Sequence, residues 1–167
     1  LAAFIPIFEK HHTNISGGNE KVALKYESQL FEKDLPTLLE ESLQKDRIIQ
    51  YTSAGIHKDD LVFEIDGFPI KKFGSQGQQK SFTIALKLSL YSYLHEMKGI
   101  LPILLIDDLF DKLDTKRMKQ LIRILQGDEF GQIFMSDTDI LRLEKAFDGN
   151  REQIEIFTID LESNDKV

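Results

Sequence analysis

The chain has 167 residues, 41% hydrophobic and 29% charged, the composition of an ordinary globular protein rather than of a disordered or fibrous one. Lys and Arg number 21 against 28 Asp and Glu, a formal net charge of −7, which argues against a non-specific polyanion-binding surface and makes any nucleic-acid contact a local patch. The absence of cysteine removes disulfides, thiolate metal sites and cysteine nucleophiles together and makes a cytoplasmic location the expectation. The longest apolar run, Ile100 to Ile106, is broken by Pro102 and falls far short of the roughly 20 residues a membrane helix needs, so no membrane role is expected. Leu1 to Phe8 lack the pattern of a signal peptide and the chain does not open with Met, so it reads as a piece of a longer protein.

In chain order, the pattern from Leu1 to about Gln50 is mixed. Ser16-Gly17-Gly18-Asn19 marks a turn, and Val22, Leu24 and Tyr26 alternate as in a strand. Leu35, with Pro36 in the first turn and apolar Leu38, Leu39, Leu43 and Ile48 following, opens a segment whose spacing of three and four suits a helix. Nothing in residues 1–50 carries a catalytic signature, and they are expected to be the end of an arm or packing subdomain, with 51–167 forming the second unit. Leu61, Phe63 and Ile65 alternate before Asp66-Gly67, a favoured turn pair, and Phe68, Ile70 and Phe73 follow, which predicts a hairpin. The hairpin runs into Gly74-Ser75-Gln76-Gly77-Gln78-Gln79.

Lys80 to Lys98 contains no Gly or Pro and is apolar on two sides, with Phe82, Ala85, Leu86, Leu90 and Tyr93 on one and Ile84, Leu88 and Tyr91 on another. This predicts a helix of about 20 residues buried between layers and packed on a sheet. Pro102 to Ile106 has the form of a strand buried on both faces. Thr115 to Gln126 reads as a helix closed by Gly127, Ile133 to Met135 as a strand, Thr138 to Phe147 as a helix and Ile154 to Leu161 as a last strand. The alternation predicts an α/β lobe with a parallel or mixed sheet and flanking helices.

Two constellations carry chemistry. A buried strand that ends in Asp107 and Asp108 delivers two carboxylates where open α/β sheets bind ligands. One can hold Mg²⁺ through water while its neighbour orients or deprotonates an attacking water. Asp at a strand end is equally often a plain turn former. The Gly74–Gln79 cluster opens a long helix with free N–H groups, to which Ser75 adds a hydroxyl and Lys80 a charge. The result is an anion cradle, although a lone Gly-x-x-Gly is more often a capped loop. The four histidines, His11, His12, His57 and His95, form no His-x-x-x-His pair, and a metal at His57 beside Asp59 and Asp60 is not expected.

The order of these parts narrows the reading. Gly74-Ser75-Gln76-Gly77-Gln78 resembles the signature loop of ABC-type ATPases, Ile103 to Asp108 their Walker B strand and Asp111-Lys112-Leu113-Asp114 their D-loop. The wording Ser75-Gln76-Gly77-Gln78-Gln79-Lys80, with Gly55-Ile56-His57-Lys58-Asp59-Asp60 upstream and Asp107-Asp108 where an Asp-Glu pair is usual, resembles the RecF family of bacterial recombination mediators, over roughly Leu24 to Asp139. The resemblance implies the C-terminal lobe of an ABC ATPase head, in an ATP-dependent homodimer that binds junctions of single- and double-stranded DNA. It also implies work in DNA replication, repair and the SOS response with RecR and RecO, and RecA downstream.

By the same resemblance Asp107 is the Mg²⁺ ligand and Asp108 the water-activating acid. Ser75, Gln76, Gly77, Gln78 and Lys80 face the ATP of the partner subunit, and Asp111, Leu113 and Asp114 belong to the D-loop. The chain contains no Gly-x-x-x-x-Gly-Lys-[Ser/Thr], so the phosphate-cradling lobe is expected elsewhere and this piece by itself is expected to be inactive. Ser136-Asp137-Thr138-Asp139 stands where a switch histidine is usual, which makes Asp137 a positional candidate for the γ-phosphate sensor. Three other readings compete, one of them non-enzymatic, in which this piece acts only as a dimerisation and signature lobe. An SMC- or Rad50-like head would carry a very long heptad coil, and none occurs in this sequence. Asp107, Asp108 and Asp111 also spell the Asp-Asp-x-x-Asp of Mg-diphosphate enzymes, but those are all-helical and this chain alternates strands with helices.

Overall fold

A computed structural model describes residues 1–109, 111–147 and 154–159. Its first element, helix α1 (Phe4–Ser16), is not announced by the sequence pattern, because His11 and His12 fall on the same face as Phe8 and Ile15 and interrupt the apolar stripe. All four are buried. Gly17, at φ +78°, ends the helix with the left-handed residue that glycine tolerates, and its N–H donates to the Thr13 carbonyl. Strand β1 (Val22–Glu27) and helix α2 (Leu35–Ile49) follow, the latter capped by the Asp34 carboxylate on the Thr37 N–H.

Strand β2 (Asp60–Ile65) pairs antiparallel with β1, Leu24 opposite Phe63, and turns through Asp66 and Gly67, both at positive φ, into β3 (Phe68–Pro69). The second arm of the hairpin is shorter than expected because Pro69 has no N–H to continue the ladder. From Ile70 the chain coils into α3 (Ile70–Phe73). The β1–β2 ladder and the packing of α1 on α4 join residues before position 50 to residues after it.

Helix α4 (Gln76–Lys98) is the centre of the molecule. Phe82 meets Phe8 of α1 at 4.7 Å between ring centroids and Phe63 of β2 at 5.5 Å, and Tyr91 stacks near Phe130 and accepts the Gly131 N–H at 2.8 Å. Strands β4 (Leu104–Ile106) and β5 (Ile133–Met135) pair in parallel, joined by α5 (Thr115–Leu125), and α6 (Ile140–Ala146) closes the described alternation. One apolar cluster runs through α1, α4, β4 and α5.

Two expectations are corrected. Leu104 and Ile106 are buried, but Leu105 on the other face is 66% exposed and Phe134 beside it 51%, so β4 is covered on one face only. Ile154 to Ile159 form no strand, since no neighbour pairs with them, and Asp160 and Leu161 of that segment lie outside the described residues.

Candidate functional site

Ser75 caps α4. Its hydroxyl accepts the Gln78 N–H at 3.2 Å while the Gln78 side-chain carbonyl accepts the Ser75 N–H at 2.8 Å, a reciprocal box that leaves the first turn rigid. Gln76 and Ser75 are exposed, and Gly77 is half-buried against the next motif: a Cβ there would lie 3.2 Å from the Lys112 carbonyl. Glycine at this position thus lets the turn lie directly on the 111–114 backbone. Gln79 closes the turn from behind through its amide on the Gly74 carbonyl at 2.9 Å.

β4 presents Asp107 and Asp108 at its C-terminal end, both exposed. The Ser136 hydroxyl donates to Asp107 Oδ1, and Ser136 Oγ accepts the Asp108 N–H at 3.2 Å. The Ser136 N–H donates to the Ile106 carbonyl at 3.0 Å and its carbonyl accepts the Leu109 N–H at 3.3 Å. Ser136 therefore ties the ends of the two parallel strands together and orients the first carboxylate. Sequence reasoning passed over it in favour of Asp137, although its place directly after the β5 run was the available signal.

Asp108 sits at φ +47°, a left-handed conformation that Asp adopts more readily than most residues, and this turns the chain sharply off the sheet. Its carbonyl accepts the Lys80 ammonium at 2.8 Å and the Asp111 N–H at 3.3 Å. Lys80 thus reaches the Asp108 backbone of its own chain in this structure. Asp111 pairs with Lys112 at 3.7 Å, Leu113 packs against the core, and Asp114 caps α5 through the Arg117 N–H at 2.8 Å. Asp137, the residue after Ser136, accepts the Asp139 N–H on Oδ1 at 2.9 Å. The structure thus brings Ser75–Lys80, Asp107, Asp108 and 111–114 to one end of the sheet, with Asp137 beyond β5.

His57 is apart from this end. Its Nε2 hydrogen-bonds to the Thr52 carbonyl at 2.8 Å within the loop that leads into β2. Among the described residues no group of three or more His, Asp or Glu side chains is arranged to hold a metal ion. No described helix is long and apolar enough to cross a membrane.

No family model matches the chain. It is 55% identical over 159 residues to the DNA replication and repair protein RecF of Flavobacterium johnsoniae, an alignment that covers 95% of this chain and 44% of that protein. The RecF protein of Phocaeicola vulgatus is 42% identical over 161 residues, covering 96% of this chain and 43% of that one. This chain belongs to the RecF family. It spans less than half the length of the RecF proteins it matches. Solved structures of the recombination mediator RecF with ATP and with an ATP analogue, described in the RecFOR pathway, superpose with TM-scores of 0.66 and 0.63. Each is 28% identical and covers 83% of this chain and 39% of the other. The α/β arrangement therefore matches part of the RecF fold.

Proposed function

We propose that this chain is the partner-facing portion of a RecF-like recombination mediator, an ATPase that binds DNA junctions in gap repair and acts with RecR and RecO ahead of RecA. The observation that carries the reading is the close packing of the Ser75–Gly77 turn on the 111–114 segment beside Asp107 and Asp108, in a chain more than half identical to a RecF protein. In this reading Ser75, Gln76, Gly77 and Gln78 face the ATP of a second subunit, and Asp111, Leu113 and Asp114 line the same interface. Lys80 belongs with them at the partner's ATP, one turn into α4 and bonded to the Asp108 carbonyl of its own chain. Asp137 is the candidate that senses the γ-phosphate.

Mg²⁺ fits the end of β4. Asp107 offers an exposed carboxylate whose orientation Ser136 sets, and Mg²⁺ is commonly held by one or two carboxylates together with substrate phosphates. When bound with ATP the ion neutralises phosphate charge. Asp108, on the next residue but turned by its left-handed backbone, takes the other task of orienting the attacking water and accepting its proton. The uncovered Leu105 and Phe134 face is where the phosphate-cradling lobe would pack, with residues 1–50 read as the end of an arm or packing subdomain and 51–167 as the C-terminal ATPase lobe.

The test is a full-length protein that contains this chain, purified and titrated with gapped duplex DNA with and without Mg-ATP. Tighter binding with ATP, and dimers that form only with nucleotide, are expected. DNA binding indifferent to ATP together with a constant monomer would refute the reading.

A further inference from the structure

A buried ion pair links the two motifs that the proposed function sends across the dimer. Glu20 lies in the short connection between α1 and β1, and its side chain is only 9% exposed. Glu20 Oε1 accepts Arg117 Nη2 at 2.5 Å and Gln78 Nε2 at 3.1 Å, and Oε2 accepts Arg117 Nη1 at 3.4 Å. The Arg117 guanidinium, 15% exposed, also donates to Ser81 Oγ at 2.9 Å and lies 3.4 Å from Asp114 Oδ2 through Nε. His12 Nε2 stands 3.6 Å from Glu20 Oε2. Gln78 is at once the partner of Glu20 and half of the Ser75 capping box. A continuous line of contacts thus runs Ser75, Gln78, Glu20, Arg117, Asp114, from the cap of α4 to the cap of α5.

We infer that Glu20 and Arg117 are positioning residues that lock the Ser75–Gly77 turn to the 111–114 segment so that both meet the partner subunit's nucleotide as one rigid surface. The inference rests on the proposed function. Stability alone does not account for the pair, because the desolvation of a buried ion pair offsets much of its attraction, and apolar replacements of similar volume are often as stable. Geometry does account for it. A planar guanidinium with five donors in a fixed fork can hold Glu20, Ser81 and Asp114 in one arrangement, which an ammonium cannot. Two turns that must each fit a phosphate group to within a fraction of an ångström need such a fixed spacing.

The experiment uses the full-length protein carrying Glu20→Gln, Arg117→Lys, the double change Glu20→Gln with Arg117→Met, or Ser75→Arg as the reference. Denaturant melts, nucleotide affinity and ATP-dependent dimerisation by sedimentation velocity are measured on each. The double variant removes both buried charges, so its folding stability should be close to the parent's. It should bind ATP within about twofold of the parent yet dimerise at least about tenfold more weakly, because the register is gone. Arg117→Lys should keep the charge and still fail to restore dimerisation. A double variant or Arg117→Lys that dimerises like the parent, while Ser75→Arg does not, would overturn the positioning role and leave the proposed function standing. If Ser75→Arg also dimerised like the parent, the proposed function itself would fall.

Discussion

At the scale of single residues, the two adjacent acids are set apart by the backbone. Asp108 has positive φ and Asp107 does not, so the carboxylates leave the strand in different directions, and Ser136 holds only the first. In the full-length protein Asp107→Asn is expected to weaken Mg-ATP binding as well as turnover, because an amide neutralises none of the cation's charge. Asp108→Asn should keep nucleotide affinity, slow hydrolysis by about 10²–10⁴-fold and accumulate the ATP-bound dimer. Nucleotide titration beside single-turnover hydrolysis separates the two. Loss of binding in Asp108→Asn with normal binding in Asp107→Asn would reverse the assignment.

His12 supplies a residue-scale prediction of another kind. Burial pushes its pKa below the ordinary 6.5, against the upward pull of Glu20, and His11 is lowered likewise, chiefly by burial. The unfolded chain therefore takes up protons below pH 6.5 that the folded chain resists. Stability is fully present above that pH and declines as pH falls from 6.5 toward the lowered native values. Urea melts at pH 7.5 and 5.5 should show a smaller acid loss in His12→Gln than in the parent. Equal losses would show that His12 is not the group responsible. Neither histidine was legible as a core residue, because a histidine at an apolar position looks like an interruption until its neighbours are known.

At the scale of elements, the α4 cap joins a structural task to a proposed functional one, and two substitutions at Ser75 separate them. Ser75→Ala removes the side-chain acceptor for the Gln78 N–H and should cost about 1 kcal/mol of stability in a denaturant melt. Ser75→Asp keeps an acceptor and suits the helix dipole, so stability should hold, while its negative charge opposes a partner's phosphates and ATP-dependent dimerisation should fail. A Ser75→Asp protein that dimerises normally would remove the turn from the nucleotide interface. The α4, α5 and β4 segments were readable from periodicity and from the Gly and Pro punctuation around them. The α1 helix was hidden by its histidines, and the second hairpin strand was cut short by Pro69, a signal present in the sequence and outweighed in the reading by the apolar alternation around it. The line from Ser75 to Asp114 could not be read at all, since Glu20 and Arg117 are 97 positions apart and resemble any other charges on a polar surface.

For the whole molecule, α1 is part of the core rather than an appendage. Phe8 is fully buried against Phe82, and Phe8→Ala should lower folding stability by about 3–5 kcal/mol, enough to unfold a marginal domain. A change below 1 kcal/mol would mean that α1 packs elsewhere. The exposed Leu105 and Phe134 face, by contrast, leaves apolar side chains of β4 and β5 without a covering layer among the described residues. The 167-residue chain alone should accordingly show no micromolar binding of Mg-ATP by calorimetry, since it holds no phosphate-binding loop.

The central claim, that the Ser75–Gly77 turn serves the nucleotide of the other subunit, is tested most directly by mixing two inactive full-length variants. One carries Ser75→Arg, and the other a substitution that disables the phosphate-binding loop. If the turn acts across the dimer, each mixed dimer contains one intact composite site, and ATP hydrolysis returns on mixing although neither variant hydrolyses ATP alone. If it acts within its own subunit, every site in the mixture is defective, and a mixture that forms dimers yet stays inactive would contradict the account.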